Sequence, residues 1–207
     1  MSLIEPVLES AATDKTAQTY GRLHELLGEG PLPEPWLLYG RVPAFLQDFY
    51  MNFKKFVYQE GALDAATKNT IALAVSAILK CQPWRDYFAQ RSASFGQDPQ
   101  YVADTLAVAS TCAMYNVFFK FRDLSGSAMF EGMAVGLRAH TFAGTSLTPQ
   151  MVELINIAIS DLNGCKPCTS GHVEKARQLG LSDEAILECV QCTATMAAGC
   201  ALLNTAG

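Results

Sequence analysis

Between residues 163 and 172 the chain reads NGCKPCTSGH. Cys165 and Cys168 stand two residues apart, and His172 follows four residues after the second. On a helix Cys168 and His172 would be i and i+4, stacked on one face and close enough for the imidazole to take the thiol proton. Cys165 sits just after an Asn-Gly break, where a helix should start and its unpaired N–H groups would favour a thiolate. A free thiol of pKa about 8.5 is only roughly 3% ionised at pH 7. Lowering that value by about two units, worth near 2.7 kcal/mol, makes the thiolate the main form. A helix N-terminus and a protonated histidine together can supply that much. Glu153, one helix earlier, is placed to hold the far nitrogen of His172 or to pass protons to it. The residue types therefore predict an exposed dithiol that cycles between open and bridged forms.

Two other readings of these residues exist. A second CxxC, Cys189 and Cys192, makes the pattern C-x2-C-x20-C-x2-C, just outside the spacing of zinc ribbons. A zinc-bound or redox-sensing, non-enzymatic module is thus the alternative to a redox enzyme. Cys189 and Cys192 lie within a strongly periodic apolar stretch without a glycine knuckle. They, Cys200 and Cys112 read as small buried apolar residues. His24, in RLHELL, reads as a surface histidine. His140, in GLRAHTFAG, is a candidate to line the site from a connector. Tyr115, Phe118, Phe119 and Phe121 read as core or subunit interface, or as the wall of an apolar substrate pocket.

Something must position these groups, and the apolar spacing is helical almost throughout. Residues 65–80, 98–121, 148–164 and 182–203 each carry apolar residues at three- and four-residue intervals. Asp98-Pro99 and Thr148-Pro149 read as cap and first helical position, Ser182 as a cap, and Asn163-Gly164 and Gly180 as stops. A short helix from about Lys166 to Leu179 carries the cysteines and histidine. Two further helices precede residue 60, joined by the proline-rich GPLPEPW. Residues 124–146, spaced by glycines, read as a connector with one short helical piece. No segment alternates as a strand does, so the fold class is all-α.

At 207 residues, half apolar and 17% charged, the chain can bury a large core. A net charge of −5 and an isoelectric point near 5.2 argue against nucleic acid or an anionic membrane as partner. No unbroken apolar run is long enough to span a bilayer, and the N-terminus has no signal-peptide pattern, which predicts a cytoplasmic protein. Seven cysteines, an odd number in a chain of this length, do not read as a disulfide framework.

Shifted by 84 residues, the chain aligns with itself without a gap. Leu63 falls on Leu147, Ile71 on Ile155, Ser76 on Ser160, Cys81 on Cys165, Pro83 on Pro167 and Gly96 on Gly180. The chain therefore reads as one domain of two tandem helical repeats, about 60–121 and 145–205, with an N-terminal helical extension. The halves differ where chemistry is at stake: Cys168 faces Trp84, His172 faces Phe88 and Glu153 faces Asn69. The first repeat lacks the site residues.

Glu153 followed by Cys165-x-x-Cys168-x-x-x-His172 resembles the AhpD branch of the carboxymuconolactone decarboxylase-like superfamily. Segments 114–123 (MYNVFFKFRD), 130–138 (FEGMAVGLR) and 158–181 (AISDLNGCKPCTSGHVEKARQLGL) are similar to AhpD segments in the same order. The resemblance covers roughly residues 60–205. It implies an all-helical, two-repeat fold in a trimer or hexamer, and a thiol peroxidase active on organic hydroperoxides in antioxidant defence. Cys168 would attack, Cys165 would close the disulfide, His172 would serve as base and Glu153 would complete a proton relay. No bound cofactor is implied. The redox-active Cys165–Cys168 disulfide would take electrons from dihydrolipoamide on a lipoylated protein and could pass them to the peroxiredoxin AhpC. One departure stands out: AhpD proper has a histidine where this chain has Pro167. The decarboxylases of the same superfamily do without the CxxC pair, which argues against a lyase.

Overall fold

Asp98, Thr148 and Ser182 each cap a helix as their sequence contexts predict. Their side-chain oxygens accept from the N–H of Tyr101 (2.8 Å), Met151 (3.2 Å) and Ala185 (3.2 Å), contacts of the kind worth about 1 kcal/mol each. A computed structural model describes residues 3–206, and among these there are ten α-helices and no strand. They are α1 (Asp14–Leu27), α2 (Glu34–Tyr39), α3 (Pro43–Phe53), α4 (Ala65–Ile78), α5 (Gln82–Ser92), α6 (Pro99–Ser125), α7 (Ala128–Glu131), α8 (Pro149–Leu162), α9 (Lys166–Gln178) and α10 (Asp183–Ala206). The proline-rich joint that reads as a loop contains α2. Its Pro35 lies in the first turn, where a missing N–H is harmless. His24 is a surface histidine, 2.6 Å from Glu9.

The repeat is a property of the backbone as well as of the sequence. Helices α4, α5 and α6 begin 84 residues before α8, α9 and α10. Cys81 N–H donates to Ser76 O and Cys165 N–H to Ser160 O, both at 2.9 Å. The residue before each cysteine has a left-handed backbone, Lys80 at φ 57° and Gly164 at φ 63°. Glycine enters that conformation without strain, whereas Lys80 does so against its Cβ.

Helices α4, α8 and α10 form the centre, and each long helix packs on the first helix of the other half. Most of α4 and α8 is buried on all sides. Acidic residues near the start of each long helix pin the chain entering the opposite half. Asp104 on α6 accepts from Ser146 N–H and hydroxyl (2.7 Å each), and Glu188 on α10 accepts from Leu63 N–H (2.7 Å). Glu188 also pairs with the fully buried Lys68 at 2.9 Å, whose other donors meet the carbonyls of Lys55 and Gln59. By length and composition α6 and α10 would pass as membrane spans; in this fold both pack into the helical assembly.

α6 is one unbroken helix, but it is not buried along its whole length. Val117 and Leu124 in its C-terminal half are 69% and 75% exposed. The connector holds α7 and a single 3-10 turn, His140–Phe142.

Candidate active site

α9 starts at a sharp turn because Asn163 and Gly164 end α8 and Cys165 takes the capping position without using its sulfur as a cap. That turn is fastened to α6. Lys120 Nζ donates to Asn163 O (3.1 Å), Asn163 Nδ2 to Asn116 Oδ1 (3.0 Å) and Asn116 Nδ2 to Ser160 Oγ (2.9 Å). Cys165 and Cys168 therefore stand in the first turn of a fixed helix, under the positive end of its dipole. Their Cα atoms are 5.3 Å apart and their sulfurs are joined in a disulfide.

The two sulfurs are not equivalent. Cys165 is 0% exposed, while Cys168 is 8% exposed and forms part of the wall of a cleft of about 410 Å³. The sequence alone predicts an exposed dithiol; the pair is instead recessed, because the α8–α9 turn packs Cys165 inward. Pro167, Gly171, His172 and Lys175 complete the α9 side of the cleft, and Tyr115, Phe119, Ala139 and Phe142 form the other side.

Glu153, 1% exposed, sits beneath α9 on the wholly buried middle of α8. Its Oε2 lies 2.7 Å from His172 Nδ1 and its Oε1 lies 2.6 Å from Lys175 Nζ. Burial alone would raise this carboxyl. The hydrogen bonds and charges of His172 and Lys175 outweigh it and hold the group below its ordinary value. With Nδ1 committed to Glu153, Nε2 is the ring nitrogen left to serve the cleft.

The structure thus gathers all four residues singled out by type and spacing: Cys165, Cys168, His172 and Glu153. It adds Lys175, which sequence reasoning missed, although its i+3 spacing from His172 was a usable signal. It divides the aromatic cluster. Tyr115 and Phe119 wall the cleft, the Arg122 guanidinium lies over Phe118 at 4.7 Å, and Phe121 is exposed. His140 is exposed and does not line the cleft. Phe142, two residues on, does so, its ring 6.0 Å from that of Tyr115.

The remaining five cysteines are all buried thiols. Burial pushes Cys189 up to about 12 and raises Cys112 and Cys192 as well. Cys189 Sγ donates to Leu154 O at 3.3 Å. Among the described residues no three His, Cys, Asp or Glu side chains converge as a metal site requires, so the two CxxC pairs do not form a ribbon-like set.

Comparison with known proteins agrees with this architecture. Alkyl hydroperoxide reductase AhpD of Anaeromyxobacter dehalogenans strain 2CP-1 is 28% identical over 80% of this chain and 88% of its own. The AhpD of Solibacter usitatus is 26% identical over 81% and 93%. A solved structure assigned as a gamma-carboxymuconolactone decarboxylase subunit of Burkholderia xenovorans LB400 superposes with a TM-score of 0.68. It covers 94% of this chain and 95% of its own at 17% identity, a likeness of fold. The profile of the carboxymuconolactone decarboxylase family matches twice, at residues 45–122 and 130–207. Two matches that together span most of the sequence, one per repeat, make this chain a member of the carboxymuconolactone decarboxylase family.

Proposed function

We propose that the protein is a dithiol-dependent peroxidase, of the alkyl hydroperoxide reductase type, with Cys168 as nucleophile and Cys165 as its resolving partner. The observation that carries the reading is the asymmetry of the pair. Cys168 borders an apolar cleft beside a histidine whose other nitrogen is anchored, while Cys165 lies behind it.

In the reduced protein His172 Nε2 takes the Cys168 proton, and the helix N-terminus stabilises the thiolate. The thiolate attacks the terminal oxygen of an organic hydroperoxide. The O–O bond breaks, the sulfur becomes a sulfenic acid, and the departing alkoxide takes the imidazolium proton and leaves as the alcohol. Cys165 then attacks the sulfenic sulfur, closing the disulfide and releasing water. The two electrons come from the dithiol. An external dithiol restores them by exchange through a mixed disulfide.

Dihydrolipoamide on a lipoylated protein is the donor we favour, with the peroxiredoxin AhpC as a further electron acceptor, in a cytoplasmic setting. Pro167 in place of a histidine removes one proton carrier between the cysteines, so His172 must serve both proton steps. Names borne by the relatives, Alkyl hydroperoxide reductase AhpD, support the reaction class. Turnover of an organic hydroperoxide with dihydrolipoamide, on wild type, Cys168→Ser and Cys165→Ser, tests the assignment. Both variants should lose turnover by at least two orders of magnitude, in line with removal of a covalent nucleophile. Retention of turnover by both would refute it.

A further inference from the structure

His172 is not the only partner of Glu153 on α9. Lys175 lies three residues further along α9, so both side chains fall on one face and reach the same buried carboxylate, one on each oxygen, at 2.7 and 2.6 Å. Lys175 also lines the cleft with Cys168 and is 58% exposed, so its ammonium joins the site to solvent. The other titratable group set against Glu153 is the Cys112 thiol of α6, which burial keeps neutral. From α4 and α10, Lys68 and Glu188 are committed to each other, and the buried Cys189 thiol to a backbone carbonyl.

The first repeat offers a control built into the same chain. Arg91 is the counterpart of Lys175, and Asn69 that of Glu153. With a neutral amide at that position the cation is only loosely attached, Arg91 Nη1 to Asn69 Oδ1 at 3.5 Å, and the guanidinium lies over the Tyr58 ring at 4.0 Å instead. Asn69 spends its amide on Phe88 O and Ser92 Oγ. Where the carboxylate is present the cation closes on it.

We propose that Lys175 is a positioning residue of this site: with His172 it fixes Glu153 as a permanent anion, which orients and charges the imidazole and does not itself carry protons. The proposal deepens the dithiol reading and rests on it, and it replaces a relay through Glu153 with proton movement at His172 Nε2 alone. A carboxyl buried to this degree and held by a single cation would titrate nearer neutrality, and each protonation would remove the charge that supports the thiolate–imidazolium pair.

Alkylation of the reduced protein by iodoacetamide as a function of pH, with Cys168 modification read by mass spectrometry, tests this without any peroxide. In Lys175→Met the acid limb of the rate profile should move toward neutral by about one pH unit, and Lys175→Arg should restore it. If Lys175 acts through Glu153, the same substitution in a Glu153→Gln background should produce no further shift. A Lys175→Met profile that overlays wild type overturns the proposal. So does an equal shift in both backgrounds, which would mean that the ammonium acts on the thiolate directly. A wild type that alkylates rapidly at Cys168 yet reduces no hydroperoxide would remove the peroxidase reading and leave the role of Lys175 intact.

Discussion

Glu153 is the residue on which the electrostatics of the site turn, and its lowered pKa has a consequence for stability that is separate from catalysis. A carboxyl whose folded value lies below its unfolded one adds stability at all pH values above the unfolded value, about 4.3 for glutamate. That contribution disappears as pH falls through the folded value. Glu153→Gln abolishes it. The variant should be less stable than wild type at pH 7 by about 1–3 kcal/mol, since two charge-assisted contacts of a buried group are lost. The gap should narrow as pH falls below the unfolded value and close once wild type, at its lower folded value, has lost the charge as well. Thermal unfolding midpoints of the two proteins as a function of pH check this; a gap constant down to strong acid would show that the carboxylate charge is not what stabilises. At this scale the sequence was highly legible. Cys165, Cys168 and His172 lie within eight residues on one helix, where spacing translates directly into geometry. Glu153 was reachable because it lies on the neighbouring helix of the same repeat. Lys175 carried only its i+3 spacing from His172, a signal that for one lysine among fifteen basic residues acquires its full meaning only when a buried carboxylate is found under it.

The elements explain why the second repeat has a cleft at Cys168 and His172 while the matching positions of the first, Trp84 and Phe88, are wholly buried. In the first, Trp84 and Phe88 on α5 occupy the positions of Cys168 and His172, and α2 and α3 bring Trp36, Phe49 and Phe53 against them, with ring centroids 5.4–5.8 Å from Trp84. Gly199 on α10 makes room. A Cβ there would lie 2.6 Å from the Phe49 ring, and Tyr39 donates to its carbonyl at 2.8 Å. Its counterpart on α6 is Tyr115, a wall of the cleft. The segment 84 residues after α3 is the connector, which cannot repeat the α3 packing because Gly132 and Gly136 interrupt it and Met133 and Leu137 stay exposed. An N-terminal stretch that reads as an extension thus serves as a plug, a role invisible in sequence because it depends on which faces meet across the molecule. The α5 counterpart of Gly171 is Tyr87, whose ring packs edge-on against Trp84 at 5.4 Å. Nothing lies within 4 Å of a Cβ at Gly171, so a side chain there would point into the open cleft. Gly171→Tyr should therefore fold normally, keep its thiol content and Cys165–Cys168 disulfide, and lose most turnover of bulky organic hydroperoxides while retaining more with hydrogen peroxide. Equal loss with both peroxides would show that the cleft does not admit the substrate.

For the whole molecule, the same internal symmetry sets one exposed face of α6 apart from its counterpart on α10. α2 and α3 cover α10 at Gly199, whereas Ala194, Ala198, Ala201 and Thr205 further round that helix are exposed. Where α10 shows solvent the small Ala198, Ala201 and Thr205, the matching positions of α6 carry Met114, Val117 and Phe121, continued by Leu124, all exposed at helical spacing, and the connector adds exposed Met129 and Met133. Four large apolar residues on one helical stripe in a chain of mean hydropathy +0.14 form a patch of the kind that monomers seldom leave in water. A second copy of the chain is the occupant we expect, giving the homo-oligomer that the AhpD resemblance also implies. Burying the stripe would supply a good part of the roughly 1,200–2,000 Å² that a stable interface buries in total. A glutamate at Val117 or at Leu124 lies on solvent-facing surface in the single chain, so the substitution leaves the core untouched. It would introduce an unpaired charge into an apolar contact between copies. Light scattering coupled to size exclusion should therefore report a multiple of 22.4 kDa for wild type and a shift to 22.4 kDa for Val117→Glu/Leu124→Glu. The unfolding midpoint of the variant should become independent of protein concentration, while that of wild type rises with it. If wild type itself runs at the mass of one chain at the highest concentrations used, the stripe is not a self-association surface.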